Sequence, residues 1–354
     1  MKVTLDCKGL HSLIKSLKPL KNRKYNIPII QYAKMAASDD GLTLEFTDLD
    51  TWVNIHILGG IDEPGEALIE VEKLDKLLAG KTGLVEISGE ASKVTYLFDS
   101  GMMVERENDD PVFFIEDYPP APELEEPIQI IEMAVDDLVL PLKQVKYAVH
   151  SMDSRHNLNA IYVNAGDVIA TDGHRLEKAN CPQMTGSMIL NKGCVSFLTQ
   201  KGVLSGNLYV NHNEGWVYFT DGDTSVMARK VEGTYPDYKR VIPESGPTKV
   251  VKVDRKTLLA AIKEFSAFTS EKRPGVDVTI NGAINISYAS SKVSVDVELI
   301  KPGEEVAIII NRKLFEDAVR AGKTKTCDIS YYKEGSPIII TSDDQFSLVM
   351  PMRK

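Results

Sequence analysis

The same succession of sequence patterns occurs three times along the 354-residue chain, and this repetition constrains the folds open to it. Each copy starts with a short alternating strand that ends in an aspartate, at Val3–Asp6, Ile131–Asp136 and Val251–Asp254. Apolar residues then recur at the spacing of an amphipathic helix. They are Leu10, Leu13, Ile14 and Leu17 in the first copy, Leu138, Pro141, Leu142 and Val145 in the second, and Leu258, Ala261, Ile262 and Phe265 in the third. The aspartates predicted to cap these helices, by accepting backbone N–H bonds, are Asp6, Asp136 and Asp254.

A second helical pattern follows later in each copy, at Lys73–Leu78, Lys192–Leu198 and Lys313–Val319. The first helices are offset from one another by 128 and 120 residues, and the second helices by 119 and 121 residues. Four offsets near 120 favour a repeated domain over chance similarity between amphipathic helices. We therefore predict three tandem domains, at residues 1–126, 127–246 and 247–354.

Between the helices the sequence alternates with a period of two, which is typical of half-buried strands. Leu42–Phe46 and Val53–Ile57 indicate a hairpin in the first copy, and Val293–Val297 indicates a strand in the third. Each copy is then predicted as a strand, a helix, three strands, a further strand, a second helix and three more strands. This order indicates an α+β fold in which two helices per domain pack on antiparallel sheets.

The composition excludes several classes of protein. Hydrophobic residues make up 43% of the chain and charged residues 26%, which is ordinary for a globular protein and argues against disorder. No apolar run approaches the roughly 20 residues that span a bilayer, and the first residues lack the apolar core of a signal peptide. The cysteines form no CxxC pair; they are Cys7, Cys181, Cys194 and Cys327. We therefore expect a cytoplasmic protein with reduced thiols, no bound metal and no cofactor.

Charge is segregated along a chain whose formal net charge is −10. The segment 8–24 holds six basic residues and no acidic one, and the first-helix segments 138–150 and 255–263 also lack acids. Residues 105–126, by contrast, hold nine acidic residues and one basic residue. One basic helix is usually a solvated face, but three equivalent ones indicate a positive surface that attracts phosphates without reading bases. The lysines assigned to that surface are Lys15, Lys18, Lys143, Lys146, Lys256 and Lys263.

The segment Thr171–Leu176 brings together an aspartate, a histidine and an arginine, which are side chains capable of acid–base catalysis. The first copy has Thr47–Trp52 at the matching point, after a similar strand. Since Thr-Asp occurs in both copies, we interpret it as a turn at the end of a strand. No nucleophile motif or metal-ligand spacing accompanies it, so an enzyme is the less favoured alternative. Its catalytic residues would be Asp172, His174 and Arg175.

Three segments carry a resemblance to a known family: ATDGHRL at 170–176, YPDYKRVIP at 235–243 and VMPMR at 349–353. In this order and spacing they resemble the β subunit of bacterial DNA polymerase III, the DNA sliding-clamp family. The resemblance implies a head-to-tail homodimer that closes a ring of six similar domains, with helices lining the hole. It also implies a non-catalytic processivity factor. A clamp-like paralogue from a phage, a plasmid or a resistance locus, and a monomeric scaffold that binds no DNA, remain alternatives.

The family's partners and contacts carry over to matching positions of this chain. Implied partners are duplex DNA without sequence specificity, the polymerase α subunit, the clamp-loader δ subunit, and other polymerases and repair proteins that carry clamp-binding peptides. No membrane is implied. The peptide would carry a glutamine followed by leucine or phenylalanine and lie in an apolar groove rimmed by arginine.

The resemblance also names residues. Those of the peptide groove are Arg155, Leu158, Thr171, Gly173, His174, Arg175, Leu176, Pro236, Arg240, Val241, Asn311, Leu348, Val349, Met350, Pro351, Met352 and Arg353. The further DNA contacts are Lys21, Arg23, Lys24, His156 and Asn157, of which the last two replace an aromatic pair of some relatives. The dimer contacts are Ala267 and Phe268 on one side and Met103 and Val104 on the other. Leu314 stands where relatives can carry tyrosine.

Overall fold

The structure is a computed structural model, and it describes residues 1–20, 27–57, 60–90, 93–107, 113–122, 129–149, 156–342 and 345–353. The chain forms two compact units. The first unit comprises Met1–Val139 and Leu190–Lys230, and the second comprises Leu140–Ile189 and Val231–Lys354. The helices of the described residues are α1 (Cys7–Leu17), α2 (Val71–Leu78), α3 (Val135–Val145), α4 (Lys192–Leu198), α5 (Arg255–Glu264) and α6 (Arg312–Ala321).

Two antiparallel sheets build the first unit. One has five strands, in the order β5 (Ile61–Glu63), β1 (Lys2–Asp6), β7 (Leu84–Glu90), β8 (Lys93–Phe98) and β9 (Met103–Glu107). The other has eight, in the order β10 (Gln129–Ala134), β15 (Asn207–His212), β16 (Trp216–Thr220), β17 (Thr224–Arg229), β4 (Thr51–Ile57), β3 (Gly41–Thr47), β2 (Tyr32–Ser38) and β6 (Gly65–Glu70). Helices α1 and α2 pack against each other, and the predicted apolar stripe of α1 is buried at Leu10, Ile14 and Leu17.

The remaining two sheets belong to the second unit, apart from the last residues of one strand. The larger sheet has the order β14 (Ser187–Asn191), β11 (Ala160–Asn164), β12 (Asp167–Thr171), β13 (Arg175–Asn180), β26 (Gln345–Val349), β25 (Ile338–Ser342), β24 (Thr326–Tyr331), β18 (Lys249–Asp254) and β22 (Glu298–Lys301). The smaller has the order β21 (Ser291–Asp296), β20 (Ala283–Tyr288), β19 (Gly275–Ile280) and β23 (Val306–Asn311). Helices α5 and α6 pack together over a core that includes Leu258, Ile262 and Phe315.

The order of elements along the chain repeats three times, and the α+β prediction is confirmed. The second copy follows the predicted order without change, whereas the first and third each add one short strand, β5 and β22. The strands of the second copy are shared between the larger sheets of the two units, with β10 and β15–β17 in one and β11–β13 in the other. The predicted boundaries at residues 126/127 and 246/247 stay a prediction.

Two of the three predicted helix caps are present. Asp6 accepts a hydrogen bond from the Gly9 backbone N–H at 2.7 Å, and Asp254 accepts one from the Thr257 N–H at 2.9 Å. The prediction for Asp136 is wrong, because β10 ends at Ala134 and α3 begins at Val135, which places Asp136 inside the first turn. Its carboxylate there faces the positive end of the helix dipole but is not the cap.

Several classes of feature bear on function. No helix among the described residues is long and apolar enough to cross a membrane. All four cysteines are buried, and they form no disulfide with one another. Within the described ranges, no group of three or more histidine, cysteine, aspartate or glutamate side chains is arranged to hold a metal ion.

The cap geometry gives a test of the helix start. We expect Asp6→Ala to lower the free energy of unfolding by about 1 kcal/mol, because it leaves helix N–H groups without a partner. The matched control is Asp136→Ala, which removes a carboxylate from the equivalent helix but no cap, and should cost less. Denaturant unfolding of both variants measures this. An equal loss in the two would contradict the assigned helix start.

Candidate functional site

The segment Thr171–Arg175 forms a tight turn between β12 and β13. Asp172 Oδ1 accepts hydrogen bonds from the backbone N–H groups of His174 and Arg175 at 3.0 and 3.1 Å. Thr171 Oγ1 accepts one from the Gly173 N–H at 3.1 Å, and Gly173 has a φ of +87°. The interpretation of Thr-Asp as a turn is therefore confirmed, and the aspartate shapes the backbone.

The same turn occurs at two further places. At Thr47–Thr51, Asp48 Oδ1 accepts from the Thr51 N–H at 2.7 Å, and the central residue is Leu49 with a φ of +71°. At Thr220–Thr224, Asp221 Oδ1 accepts from the Thr224 N–H at 2.8 Å. Sequence reasoning missed this third copy, although its Thr-Asp pair follows a strand in the same way.

A cavity of about 210 Å³ opens beside the turn of the second unit. Its wall is mostly apolar and comes from β12, β13, β26 and the short 3-10 turn Tyr238–Val241. The lining residues are Leu158, Thr171, Gly173, Arg175, Leu176, Pro236, Asp237, Tyr238, Val241, Leu348 and Met350. All three segments that carried the family resemblance therefore meet at one cavity.

Strand pairing fixes the apolar wall. Strand β13 pairs antiparallel with β26, and this register sets Leu176 opposite Leu348. Both side chains are buried in one cluster with Tyr235 and Tyr238. Val349, the next residue of β26, points to the other face of the sheet and lies fully buried in the core beneath α5 and α6. Its predicted place in the groove is wrong because successive side chains of a strand alternate between faces.

The last residues are held by main-chain bonds. The Met350 N–H donates to the His174 carbonyl at 2.9 Å, and the Met352 N–H donates to the Ile309 carbonyl at 2.8 Å. Pro351 forms a bridge with Ile310. Only Met350 of these residues lines the cavity.

Each of the three guanidinium nitrogens of Arg175 donates a hydrogen bond to a group of the protein. Its guanidinium donates to Asp172 Oδ2 at 2.9 Å, to Asp317 Oδ2 at 3.0 Å and to the Tyr147 carbonyl at 2.7 Å. It also lies 5.0 Å from the centre of the Tyr147 ring. Arg175 therefore lines the cavity as predicted, with its guanidinium held in place by groups of the protein.

Other predicted groove residues lie outside the lining. Arg240 pairs with Asp237 at 3.1 Å but its side chain is 84% exposed, so this ion pair contributes little. Asn311 caps α6, since its Oδ1 accepts from the Lys313 and Leu314 N–H groups at 3.0 and 3.3 Å. The predicted residues not lining the cavity are His174, Arg240, Asn311, Val349, Pro351, Met352 and Arg353, and Arg155 lies outside the described residues.

Two lining residues were missed among the predicted contacts, Asp237 and Tyr238. Both belong to the YPDYKRVIP segment, which was the available signal. Burial raises the pKa of the Tyr238 hydroxyl to about 12, and this hydroxyl donates to Asp167 Oδ2 at 3.0 Å. Tyr238 is thus held in place as part of the cavity wall.

A buried carboxyl supports the same wall from behind. Glu177 lies opposite Ser347 in the β13–β26 pair, and its Oε2 accepts from the Ser347 hydroxyl at 2.5 Å. The Gln345 amide in turn donates to the Ser347 hydroxyl at 2.6 Å. Burial raises the pKa of Glu177 to about 8. This group is therefore protonated at neutral pH and joins the two strands that carry Leu176 and Leu348.

The predicted DNA-facing residues differ in their surroundings. Lys15, Lys143, Lys256 and Lys263 are exposed, on α1, α3 and α5. Lys18 forms an ion pair with Asp75 at 2.6 Å, and burial lowers the pKa of the half-buried Lys146. The Asn157 amide donates to the Thr234 carbonyl at 2.6 Å. Lys21, Arg23, Lys24 and the His156 side chain lie outside the described residues.

The predicted dimer contacts are exposed in both units. Strand β9 is an edge of its sheet, and Met103 on it is 59% exposed while Val104 is half-buried. In the second unit, Ala267 is exposed and Phe268 is 55% exposed, just after α5. Edge strands and exposed aromatic side chains are surfaces that pair with another chain.

Comparison with known proteins agrees with this arrangement. No protein-family model matches the chain. Over its full length it is 24% identical to the β sliding clamp of Bacillus subtilis and 21% identical to that of Rickettsia felis, each also covered completely. The crystal structure of the DNA polymerase III β subunit from Thermotoga maritima matches with a TM-score of 0.86 at 21% identity, over 100% of this chain and 99% of that one. The chain has the β sliding clamp fold.

The clamp resemblance stated from the sequence is therefore confirmed. The β clamp of Helicobacter pylori bound to a DNA ligase peptide matches with a TM-score of 0.82 at 17% identity, over the whole of both chains. At such identities the clamp fold follows from the comparison, while the roles of single residues must rest on the geometry described above.

The buried carboxyl makes the stability of this clamp fold depend on pH. Folded Glu177 keeps its proton up to about pH 8, whereas the unfolded chain loses it near the usual pKa of 4.5. The contribution of Glu177 is thus fully present below pH 4.5 and is lost as pH rises toward 8. The loss approaches about 1.4 kcal/mol per pH unit within that window.

We expect Glu177→Gln to remove this dependence, so that the variant gains stability relative to the natural protein between pH 5 and pH 8. Urea unfolding at a series of pH values measures the difference. Parallel stability curves for the two proteins would contradict a protonated Glu177.

Proposed function

We propose that the chain is the processivity factor of a replicative DNA polymerase. In this role it encircles duplex DNA as a homodimeric ring and tethers partner proteins through the cavity of the second unit. The observation that carries the proposal is the meeting of the three family segments at one apolar cavity in a chain that matches sliding clamps over its full length. The role is non-catalytic, and its place is the cytoplasm.

Retention on DNA would come from ring closure. A closed ring need not bind tightly, and strong binding would hinder sliding. Exposed lysines such as Lys15, Lys143 and Lys256 supply a modest attraction to phosphates that salt screens. The formal net charge of −10 is compatible with this, because the first helices lack acids while segments such as 105–126 hold many.

The cavity suits a short peptide with apolar anchors. Leu176, Leu348 and Met350 offer apolar surface, and Met350 can adapt to different side chains because its thioether chain is flexible. The H. pylori clamp with its DNA ligase peptide supports a peptide as the ligand. Proposed partners are the polymerase α subunit, the clamp-loader δ subunit, and other polymerases and repair proteins with a glutamine followed by leucine or phenylalanine.

The catalytic alternative finds no support in the geometry. The Asp172 carboxylate accepts hydrogen bonds from the backbone of the turn and from Arg175. The Arg175 guanidinium in turn donates to Asp172 and to the Tyr147 carbonyl. His174 is exposed and contacts Met350 through its backbone carbonyl. The Asp172 and Arg175 side chains therefore hold the turn and the cavity wall, and His174 contributes its backbone carbonyl.

A single substitution that copies the equivalent turn of the first unit should block the peptide site. Leu49 occupies, at a φ of +71°, the turn position that Gly173 holds at +87°. We expect Gly173→Leu to fill the cavity and weaken binding of a peptide with a glutamine followed by leucine or phenylalanine at least tenfold, while the fold is kept. Fluorescence anisotropy of a labelled peptide measures this.

A second variant removes Met350, which lines the cavity, together with the residues that follow it. Deletion of Met350–Lys354 should abolish peptide binding without changing the oligomeric state. A scrambled peptide is the control ligand. Unchanged peptide affinity in both variants would contradict the assignment of this cavity.

Ring closure gives an independent test. We expect Phe268→Asp to convert the dimer to monomer, because a buried carboxylate replaces an aromatic anchor at the interface. The control is Ile130→Asp, which changes a side chain that is 65% exposed and is not one of the proposed contacts, and should remain dimeric. Sedimentation measures both. After loading, the control should stay on nicked circular DNA and slide off linear DNA, and a Phe268→Asp protein that stayed dimeric would contradict the interface.

A further inference from the structure

An acidic side chain sits among the basic residues of the first helix. Asp75 lies on α2, which packs against α1, and its side chain is only 13% exposed. Its Oδ2 is 2.6 Å from the Lys18 ammonium nitrogen, and its Oδ1 is 3.2 Å from His11 Nε2. Both partners come from α1 or the turn that follows it. One carboxylate of the second helix therefore faces two basic groups of the first.

The ion pair is well formed. Burial would by itself raise the pKa of Asp75, but the hydrogen bond and charge of Lys18, together with His11, hold that pKa below its usual value. Asp75 is therefore ionised at neutral pH. Asp75 is largely buried while the Lys18 side chain is 48% exposed, so water and salt screen their attraction only in part.

Lys15, on α1 itself, provides the contrast. It is exposed one turn before Lys18, and within the described residues no carboxylate lies at ion-pair distance from it. The two lysines thus differ in their surroundings: the Lys15 ammonium is open to an incoming phosphate, whereas the Lys18 side chain, although 48% exposed, is already paired with the Asp75 carboxylate.

We propose that Asp75 is a positioning residue that holds Lys18 away from the DNA backbone and so limits the grip of α1 on duplex DNA. This inference rests on the proposed DNA-binding function. A phosphate that approaches Lys18 must compete with the Asp75 carboxylate for the ammonium, which makes this contact weaker than that of Lys15. The effect suits a protein that must stay mobile on DNA, since each added phosphate contact strengthens binding and steepens its dependence on salt.

The test is a salt titration of binding to a short duplex without specific sequence. Asp75→Asn keeps the shape of the side chain and removes its charge. We expect it to steepen the slope of log affinity against log salt by up to about 0.9, the value of one added phosphate contact. Asp75→Asn with Lys18→Ala should return to the slope of Lys18→Ala alone, because the gain passes through Lys18.

Glu72→Gln is the matched control. It removes the same charge from the same helix, but from a carboxylate that pairs with Lys76 at 3.1 Å. A gain of equal size in Glu72→Gln and Asp75→Asn would overturn the proposal in favour of a general charge effect, as would no gain in Asp75→Asn.

Lys15→Ala separates this inference from the proposed function. If α1 contacts DNA, Lys15→Ala should flatten the slope by about 0.9. An unchanged salt slope in Lys15→Ala would contradict the proposed contact between α1 and DNA. If the slope flattens in Lys15→Ala but does not steepen in Asp75→Asn, only the proposed role of Asp75 is overturned.

Discussion

The pairing of β13 with β26 determines the geometry of the candidate site. It aligns Leu176 with Leu348 and Glu177 with Ser347, so the apolar wall and the buried hydrogen bond behind it depend on a single register. A shift by one residue would exchange the two faces of β26 and bring Val349 from the core to the cavity. The cavity is therefore a consequence of sheet formation, and loops only complete it.

The first unit contains the same backbone arrangement. Strand β4 pairs with β17, and the Arg229 N–H donates to the Asp50 carbonyl at 2.8 Å, as the Met350 N–H does to the His174 carbonyl at 2.9 Å. Repetition of the sequence has thus produced two copies of one main-chain framework.

Side chains make the two copies differ. Where the second unit has Gly173, the first has Leu49, which packs against an apolar cluster around Tyr32 and Tyr118. Where the second unit has Leu176, the first has Trp52, whose ring contacts Trp216 at 5.5 Å between centroids. Small residues leave space in one copy, and large ones fill the equivalent positions in the other.

These comparisons show what the sequence could and could not predict. The repeat, the helices and the strand order followed from periodicity because burial on one face requires it, and the family segments located the cavity. Asp136 was misplaced because helix starts depend on where the preceding strand ends, and one residue decides this. Val349 was misassigned because the face that a strand residue occupies depends on the strands and helices packed around it. The partners of the Arg175 guanidinium were not predicted because they include Asp317, which is distant in sequence.

The same limit applies to electrostatics. A count of lysines on the first helices treats each as an equal contact, yet their surroundings make them unequal. Lys18 faces Asp75, and burial lowers the pKa of Lys146, whereas Lys15 and Lys263 are exposed. The attraction of a phosphate depends on the charge that remains after such pairing and on the water that must be displaced. For a protein retained on DNA by ring closure, a lining weaker than its lysine count is an advantage, because mobility falls with every contact that must break before the next forms.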